Sequence, residues 1–438
     1  MQKRFKEIVA EWKAFKLPDM VRRDVQIDLG GNSIVAIVGV RRAGKTYLMF
    51  NAIKHLIKKV GIENILYVDF ENAKLIGVGV DNLDELLVAF KEIFTPNKGK
   101  KIYLFLDEIQ SIEGWEKWVR GLHNRRGYKI IISGSSATLL SREIATALRG
   151  RSINFEIFPL SFKEFLKVRK YQYDIDIIRH TEEKGVVLKY LNEYIQYGSF
   201  PEVVLSVERL KNRLLASYFD AIFHHDIIER YRIRNVNLME NFLTYLLNNN
   251  AKYISLGKIE NSFKTMGMKV SKKTLGEYLK YAKDVFFIFP LEIFSYKIKD
   301  RLQYPRKVYS IDPGLVNALT PTSSKNTGQL YENIVFLHLQ RKRVKNPLLG
   351  IYYWKDRQGR EVDFVITEGL KPKEVIQVSY DVSSPETMKR ETRGLLKAME
   401  EFNLDNGLII TGYYSGEEKR GGKFIKFIPL YEWLLLDY

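Results

Sequence analysis

Cysteine is absent from the 438 residues of this sequence, which excludes disulfide bridges, cysteine nucleophiles and thiolate metal sites. The sequence also lacks any run of about 18 apolar residues, the length that a membrane-spanning helix needs. Its first residues, Met1 to Ile8, carry positive charge but no apolar segment of the kind found in secretory signals. Together these absences predict a cytoplasmic protein without a membrane partner.

Acidic residues are too few to balance the basic ones. The sequence has 52 Asp and Glu against 70 Lys and Arg, which gives a formal net charge of +18. This excess favours a polyanionic partner such as nucleic acid. A solvated basic surface without a specific partner explains the charge equally well, because net charge bears on non-specific binding rather than on fold. Hydrophobic residues make up 45% of the chain, enough for several packed domains.

The strongest positive signal is a glycine-rich loop between a predicted strand and a predicted helix. The apolar, β-branched run from Ser33 to Val38 predicts a buried strand, and Tyr47 to Val60 predicts a helix. Glycines let backbone N–H groups approach phosphate oxygens, and the helix N-terminus adds partial positive charge. Lys45 can reach the β- and γ-phosphates, and the Thr46 hydroxyl can ligate Mg²⁺. The residues predicted to contact a nucleotide are Gly39, Val40, Arg41, Arg42, Ala43, Gly44, Lys45, Thr46 and Tyr47.

The glycine-rich loop fits the P-loop pattern, and about sixty residues later a second motif matches a Walker B strand. Lys101 to Glu108 is an apolar run that ends in two acids, which predicts a central parallel strand buried on both faces. Asp107 is predicted to hold the Mg²⁺ shell. Glu108 is predicted to polarise the attacking water as a general base.

Hydroxyls and arginines supply the next candidates. In a doubly wound sheet, ligand groups lie at the carboxyl ends of strands, so Ser135 or Ser136 is predicted to bond the γ-phosphate or the attacking water. Helix capping by Ser136 is the alternative. Arg149 and Arg151 flank a glycine and are candidates for stabilising phosphoryl-transfer charge, with simple surface exposure as the alternative. The alternation of strands and helices predicts an open α/β sheet.

The middle of the chain is predicted to be helical. Residues 161–238 show helical patterns interrupted by a turn at Tyr197 to Glu202. His224, His225 and Asp226 are adjacent, and adjacent residues do not share a helix face, so the sequence favours packing over a metal site.

Residues 239–305 read as three helices followed by two strands, the pattern of a winged helix. The predicted helices are 241–247, 255–266 and 271–280, and the predicted wing strands are 285–290 and 291–296. The third helix begins with Ser271, Lys272, Lys273 and Thr274, which is typical of a recognition helix in the major groove. A protein–protein adaptor is the alternative.

Residues 306–438 predict a second, smaller α/β domain. Its predicted elements are a strand at 307–312, a helix at 329–340, a hairpin at 351–355 and 361–366, a strand at 374–380, a helix at 387–402 and a strand at 407–411.

In combination, these motifs resemble the archaeal and bacterial AAA-type ATPases related to the STAND clade. The resemblance rests on five stretches that occur in the family's order: Gly39–Thr46, Leu106–Gln110, Ser133–Ser136, Leu148–Arg151 and Gly198–Glu202. It implies ATP as the nucleotide, Mg²⁺ as the metal, Ser135 as the sensor-1 residue and Arg149 or Arg151 as a finger-like arginine. It also implies a lid motif at Gly198-Ser199-Phe200-Pro201, with Ser199 in place of the family's second glycine.

The C-terminal part resembles the PD-(D/E)XK nuclease fold. That resemblance implies a metal site, for which Glu332 on the helix and Asp363 on the hairpin match the family pattern. Gln377 and Ser379 occupy the places of the family's glutamate and lysine. Losing a metal carboxylate and the lysine removes most of what metal-dependent hydrolysis requires. The prediction is therefore a degenerate site, Glu332, Asp363 and Gln377, in a domain used for binding.

The sequence thus predicts an α/β protein with a P-loop, AAA-like core at 1–160, a helical lid at 161–238, a winged helix at 239–305 and a nuclease-like domain at 306–438. The predicted function is Mg²⁺-dependent binding and hydrolysis of ATP to ADP, coupled to double-stranded DNA or another partner. A slow nucleotide-dependent switch and an ATP-regulated nuclease are the alternatives. The oligomeric state is left open.

Overall fold

The computed structural model describes residues 1–136, 148, 150–320 and 327–436. The chain divides into two compact units, one formed by Met1–Phe158 with Asp284–Phe286 and one by Pro159–Lys283 with Phe287–Tyr438. In the part of the chain that the structure describes, no helix has the length and apolarity needed to cross a bilayer.

The first unit is built on a parallel sheet of five strands in the order β2-β3-β4-β1-β5. The predicted α/β class with a parallel-sheet core is confirmed. The strands are β1 Ile34–Val38, β2 Ile65–Asp69, β3 Ile102–Asp107, β4 Tyr128–Gly134 and β5 Ser152–Glu156, and the α-helices of this unit's described residues are α1 Gln2–Ala14, α2 Lys45–Val60, α3 Leu83–Phe94 and α4 Trp115–Asn124.

The residues of this sheet explain its burial. All five side chains of β1 are buried, as expected of a strand covered on both faces. Helix α1 packs through Phe5, Ile8, Val9 and Trp12, at helical spacing. The Trp12 indole Nε1 donates to Ile65 O at 2.7 Å, which anchors the helix to β2.

The alternating residues Val25 to Leu29 predict a strand, and Asp81 is predicted to cap the helix that follows it, but the structure differs at both places. Val25 to Leu29 forms no strand; its alternate residues are half-buried and line a cavity beside α2, so their alternation reflects packing against a helix. Asp81 does not cap α3, because a short 3₁₀ turn at Val80–Asn82 precedes that helix.

The second unit begins with helices and ends with a mixed sheet. Its helices are α5 Phe162–Val168, α6 Ile175–His180, α7 Glu183–Tyr197, α8 Pro201–Leu205, α9 Glu208–Ala221, a π-helix at Ile222–Glu229, α10 Val236–Asn248, α11 Leu256–Thr265, α12 Lys272–Asp284, α13 Ile298–Gln303, α14 Pro313–Leu319, α15 Thr327–Lys345, α16 Pro385–Glu401 and α17 Leu430–Leu436.

A small antiparallel sheet follows the helices α10 to α12. Its strands are β6 Tyr253–Ile254, β7 Ile288–Leu291 and β8 Arg306–Ser310, in the order β6-β8-β7. The predicted hairpin between 285–290 and 291–296 was therefore wrong, because β7 pairs with β8 and not with 291–296. Ile293 instead bridges to Tyr353 in the larger sheet, and α13 lies in the long connection.

The larger sheet has six strands in the order β13-β14-β12-β11-β10-β9. These are β9 Leu349–Lys355, β10 Glu361–Glu368, β11 Lys371–Ser379, β12 Asn406–Thr411, β13 Gly416–Arg420 and β14 Lys423–Pro429. Strand β12 pairs parallel with β11 and β14, and the other pairs are antiparallel. Its core includes Val362, Val375, Leu395, Ile409 and Phe427. Strands β13 and β14 and helix α17 were not predicted.

The predicted lid motif, Gly198 to Pro201, is hydrogen-bonded to a buried carboxylate. Asp312 is fully buried, and its Oδ2 accepts hydrogen bonds from Ser199 N at 2.7 Å and Ser199 Oγ at 2.8 Å. Gly198 has φ +73°, and a Cβ there would lie 1.7 Å from Asp312 Oδ1. The turn therefore requires glycine for both its backbone conformation and its closeness to Asp312.

We expect Gly198→Ala to destabilise the second unit by roughly 3 kcal/mol, because left-handed strain and a clash with a buried group add together. Thermal unfolding followed by circular dichroism should show a transition lowered by about 5 °C or more. Gly185→Ala is the control, since Gly185 lies in α7 with no atom within 4 Å of its added Cβ. Equal transitions for the two variants would contradict the role assigned to the Gly198 turn.

Candidate nucleotide-binding site

Polar side chains gather at the carboxyl edge of the five-stranded sheet. Strands β1, β3 and β4 are parallel, so their carboxyl ends meet at this edge, with β4 between the other two. The glycine-rich loop follows β1, two acids end β3, and the serine run ends β4. The structure thus brings together three motifs that are up to about a hundred residues apart.

The glycine-rich loop has a backbone that side chains would obstruct. A Cβ at Gly39 would lie 2.1 Å from Ile157 O, and Gly44 has φ +95° where helix α2 begins. Arg42 also has a positive φ, of 70°. The Lys45 side chain is buried against the loop, where its Nζ donates to Gly39 O at 3.1 Å. The loop residues Val40 and Ala43 are buried, and Tyr47 is exposed at the start of α2.

Asp107 is held by three hydroxyls. Its Oδ2 accepts from Thr46 Oγ1 at 2.6 Å and from the Tyr67 hydroxyl at 2.9 Å, and its Oδ1 accepts from Ser133 Oγ. Burial, followed by the charge of Glu108, raises the pKa of Asp107 above its ordinary value. Thr46 and Asp107 are therefore positioned as a pair of oxygen ligands, the type that Mg²⁺ prefers.

Glu108 is buried and fully engaged. Its Oε1 lies 3.1 Å from Lys45 Nζ, and its Oε2 accepts from Ser135 N at 3.1 Å and from Gln110 Nε2. Its backbone is left-handed, with φ +50°. Burial alone would raise the pKa of Glu108, but the charge of Lys45 and the bond from Gln110 outweigh it, so the pKa lies below its ordinary value.

The serine run makes contacts through both its backbone and its hydroxyl groups. Ser135 approaches Glu108 through its backbone N–H, and the Ser136 hydroxyl donates to Asp284 O at 3.2 Å. Ser133, which was not among the candidates, contacts Asp107 and also accepts from Glu108 N at 3.1 Å. Its position at the end of a buried parallel strand was the available signal.

Strand β2 contributes two groups that sequence reasoning missed. Asp69 is level with Asp107 in the parallel register, and the Tyr67 hydroxyl bonds to Asp107. Burial, together with the charges of Asp107, Glu71 and Glu108, raises the pKa of Asp69 to about 6. Polar residues that end a strand next to β3 were the signal for this pair.

Arg41 and Arg151, two arginines among the described residues, lie at different ends of the sheet. Arg41 forms a two-pronged pair with Glu71, at 2.9 and 2.7 Å. Arg151 lies at the amino-terminal end of β5, where its carbonyl accepts from Ile34 N at 2.8 Å and its Nη1 donates to Asn124 Oδ1 at 2.5 Å. The structure therefore places Arg151 at the edge of the sheet opposite its own P-loop. Arg149 lies outside the described residues.

The C-terminal candidates do converge, but around a lysine. Lys307 Nζ donates to Glu332 Oε1 at 2.8 Å and to Asp363 Oδ1 at 2.7 Å. Gln377 accepts from Asp363 N at 3.1 Å and donates to Glu391 at 2.7 Å. Among the described residues, no group of three or more His, Cys, Asp or Glu side chains is arranged to hold a metal ion.

Comparison with known proteins matches residues 31–166 to the family described as an AAA domain. Residues 188–326 and 327–433 match two domains of unknown function, DUF8612 and DUF4143. An uncharacterized protein of Methanocaldococcus jannaschii is 40% identical, over 98% of this chain and 95% of its own. An uncharacterized protein of Haemophilus influenzae is 31% identical, over 92% of this chain and 94% of its own.

Two solved structures are similar at lower identity. The ORC1 protein of Aeropyrum pernix in complex with DNA is 14% identical with a TM-score of 0.27, covering 73% of this chain and 90% of that one. AMPPCP-bound DnaA of Aquifex aeolicus is 13% identical with a TM-score of 0.23, covering 57% of this chain and 81% of that one.

The raised pKa of Asp69 predicts a pH-dependent stability of the first unit. Because the folded-state pKa, about 6, exceeds the ordinary 3.8, ionisation of Asp69 disfavours folding and stability falls as pH rises through about 6. Asp69→Asn removes this charge and keeps an acceptor for Glu71 N. In thermal unfolding measured from about pH 4 to about pH 7, the transition temperature of the variant should rise relative to that of the wild type as pH rises. A constant difference across that range would contradict the assignment.

Proposed function

Because this chain belongs to the same family as the Methanocaldococcus and Haemophilus proteins and carries an AAA domain, we propose that it is a Mg²⁺-dependent enzyme that hydrolyses ATP. The observation that carries the proposal is the meeting of Lys45, Thr46, Asp107 and Glu108 at one edge of a parallel sheet. A phosphate-binding lysine, two oxygen ligands for a metal and a carboxylate base are the groups that phosphoryl transfer needs.

Each group has a definite task in this proposal. Lys45 neutralises the β- and γ-phosphates, and the loop amides with the N-terminus of α2 bind their oxygens. Thr46 Oγ1 and Asp107 Oδ2, which lie 2.6 Å apart, would hold Mg²⁺. The metal would supply neutralisation of phosphate charge when bound. Ser133 and Tyr67 orient Asp107 for that task.

Glu108 takes the role of general base. Its carboxylate is ionised at neutral pH, because Lys45 and Gln110 hold its pKa below the ordinary value despite burial. The backbone N–H of Ser135 fixes one carboxylate oxygen. A phosphate on the P-loop competes with Glu108 for Lys45, which releases the other oxygen to accept a proton from water.

Two substitutions separate binding from turnover. Lys45→Ala is expected to weaken ATP binding on the order of 100-fold, since charge-assisted bonds to phosphate are lost. Glu108→Gln is expected to retain binding and lower the hydrolysis rate by roughly 100-fold. Fluorescent-nucleotide titration and phosphate release measure the two effects.

Lys54→Ala is the matched control for these variants, because Lys54 is exposed on the same helix as Lys45. Its binding and turnover should equal those of the wild type. Unchanged phosphate release in both Lys45→Ala and Glu108→Gln would exclude hydrolysis at this site.

A slow nucleotide switch is the second candidate, and one observation favours it. The proposed base is engaged on both oxygens, and its lowered pKa makes it a weak proton acceptor. Turnover then depends on an event that frees Glu108. Single-turnover phosphate release distinguishes the candidates: acceleration by DNA or by self-association indicates a coupled ATPase, and an unchanged slow rate indicates a switch.

Double-stranded DNA is the proposed partner, bound by a winged helix formed by α10, α11, α12 and the small sheet. The Ser271 hydroxyl accepts from Thr274 N at 3.1 Å where α12 begins, and Lys272 and Lys273 are exposed there. The connection between β7 and β8 exposes Lys297 and Lys299. Two basic surfaces on one small domain suit phosphate contacts on both sides of a groove.

The domain bounds follow from this proposal. We retain the core at 1–160 and the helical lid at 161–238, and we extend the winged helix to 310 so that it includes β8. The nuclease-like domain then begins after the wing, and we propose that it serves binding rather than cleavage.

The DNA proposal makes a quantitative prediction. Replacing Lys272 and Lys273 together by Ala should weaken DNA binding and reduce the slope of log K against log salt by about 2, if each contacts one phosphate. Fluorescence anisotropy across a salt series measures both quantities. The control removes the same charge elsewhere, by replacing Lys58 and Lys59, which are exposed at the end of α2. If both double variants lose the same affinity for DNA, the binding depends only on the net charge of the protein and not on Lys272 and Lys273.

A further inference from the structure

Two carboxylates of the second unit face each other across one ammonium group. Glu332 comes from α15, Asp363 from β10 and Lys307 from β8. The Lys307 Nζ lies 2.8 Å from Glu332 Oε1 and 2.7 Å from Asp363 Oδ1. A cation that bridged the two carboxylates would have to occupy the position that this nitrogen already holds.

The surroundings keep the three groups in place. The Tyr309 hydroxyl donates to Glu332 Oε1 at 2.6 Å, and Val378 N donates to Asp363 Oδ2 at 2.9 Å. The ring of Tyr253 lies 5.3 Å from Lys307 Nζ, and its hydroxyl donates to Glu361 at 2.9 Å. Side chains of strands β6 and β8 of the small sheet therefore contact Glu332 of α15 and two carboxylates of β10, Asp363 and Glu361.

The ammonium is buried but remains charged. Lys307 is 3% exposed and Asp363 is 4% exposed. Burial alone would lower the pKa of Lys307, but the charges of Asp363 and Glu332 raise it well above its ordinary value. A buried ion of this kind is stable only when paired and hydrogen-bonded, as Lys307 is on two sides.

We propose that Lys307 is the resident cation of this carboxylate site, standing in for a divalent metal. Its ammonium is a compact point charge with three donors, two of which it directs at the two carboxylates. The site therefore takes up no metal in the native chain. Lys307 instead ties the small sheet to the six-stranded sheet.

A lysine that assists hydrolysis would have a different environment. Such a lysine would face solvent and a phosphate. Lys307 is instead buried next to the ring of Tyr253 and donates hydrogen bonds to Glu332 and Asp363. Gln377, which could have been a further ligand, instead binds Asp363 N and Glu391. Both observations favour an internal ion pair over a cleavage site.

The proposal predicts that removing Lys307 creates a metal site. Mn²⁺ binding to the full chain without nucleotide, counted by electron paramagnetic resonance, should rise by about one ion per chain in Lys307→Ala, the stoichiometry of a single bridging site. The gain should vanish in the double variant with Asp363→Asn. Subtracting the double variant removes Mn²⁺ bound near Asp107 from the count.

Thermal unfolding provides an independent readout. Lys307→Ala should unfold at a lower temperature than the wild type, because two buried carboxylates lose their cation, and Mn²⁺ should raise its transition more than that of the wild type. Lys307→Gln, which keeps a hydrogen-bond donor and much of the side chain, repeats both measurements in case the alanine variant does not fold.

Three results would overturn the proposal. The first is Mn²⁺ binding by the wild type that is lost in Asp363→Asn. The second is the absence of an Asp363-dependent gain in both Lys307 variants, whether or not they fold. The third is cleavage of plasmid DNA by the wild type with Mn²⁺ that Asp363→Asn abolishes.

Discussion

The pairing of buried charge is the constraint on which the functional parts of this protein depend. An isolated ammonium or carboxylate is too costly to bury, so each buried ion fixes the position of its partners. Lys45 and Glu108 are both nearly buried and lie 3.1 Å apart. Their pairing requires β1, β4 and β3 to end at one level, and it sets the geometry around Asp107.

Lys45 and Lys307 are both buried in ion pairs, but the two ion pairs suit different purposes. Lys45 lies in a loop of backbone N–H groups and carbonyls, where a phosphate can replace Glu108 as its partner. Lys307 has no comparable exchange of partners, because its two carboxylates are themselves fixed by Tyr309 and Val378 N. The ion pair of Lys45, beside an anion-binding loop, therefore suits a switch. The ion pairs of Lys307 suit a permanent link between the small sheet and the six-stranded sheet.

The sequence predicted the parts of the site that are local in the chain. The P-loop, the Asp107–Glu108 pair and most strands of both large sheets follow from short patterns of glycine, apolar runs and terminal acids. Ser133, Tyr67 and Asp69 were missed because their roles depend on which strands are neighbours. The second strand of the predicted hairpin was assigned wrongly for the same reason. Residues 291–296 and Arg306–Ser310 have similar strand patterns, and only the tertiary structure shows that β7 pairs with Arg306–Ser310. Lys307 could not be identified, because its partners are 25 and 56 residues away.

The position of Glu108 links nucleotide binding to the rest of the site. Its left-handed backbone is held by Ser133, which accepts from Glu108 N and also binds Asp107. A change in the partner of Lys45 therefore acts on the carboxylate of Glu108, while the backbone of Glu108 stays bound to Ser133 and, through it, to Asp107, the proposed metal ligand. In the proposed ATPase, this arrangement confines movement to one side chain, so that release of the base requires no rearrangement of the sheet. Because the charge of Lys45 is the main cause that lowers the pKa of Glu108, losing Lys45 to a phosphate would also make the carboxylate a better proton acceptor.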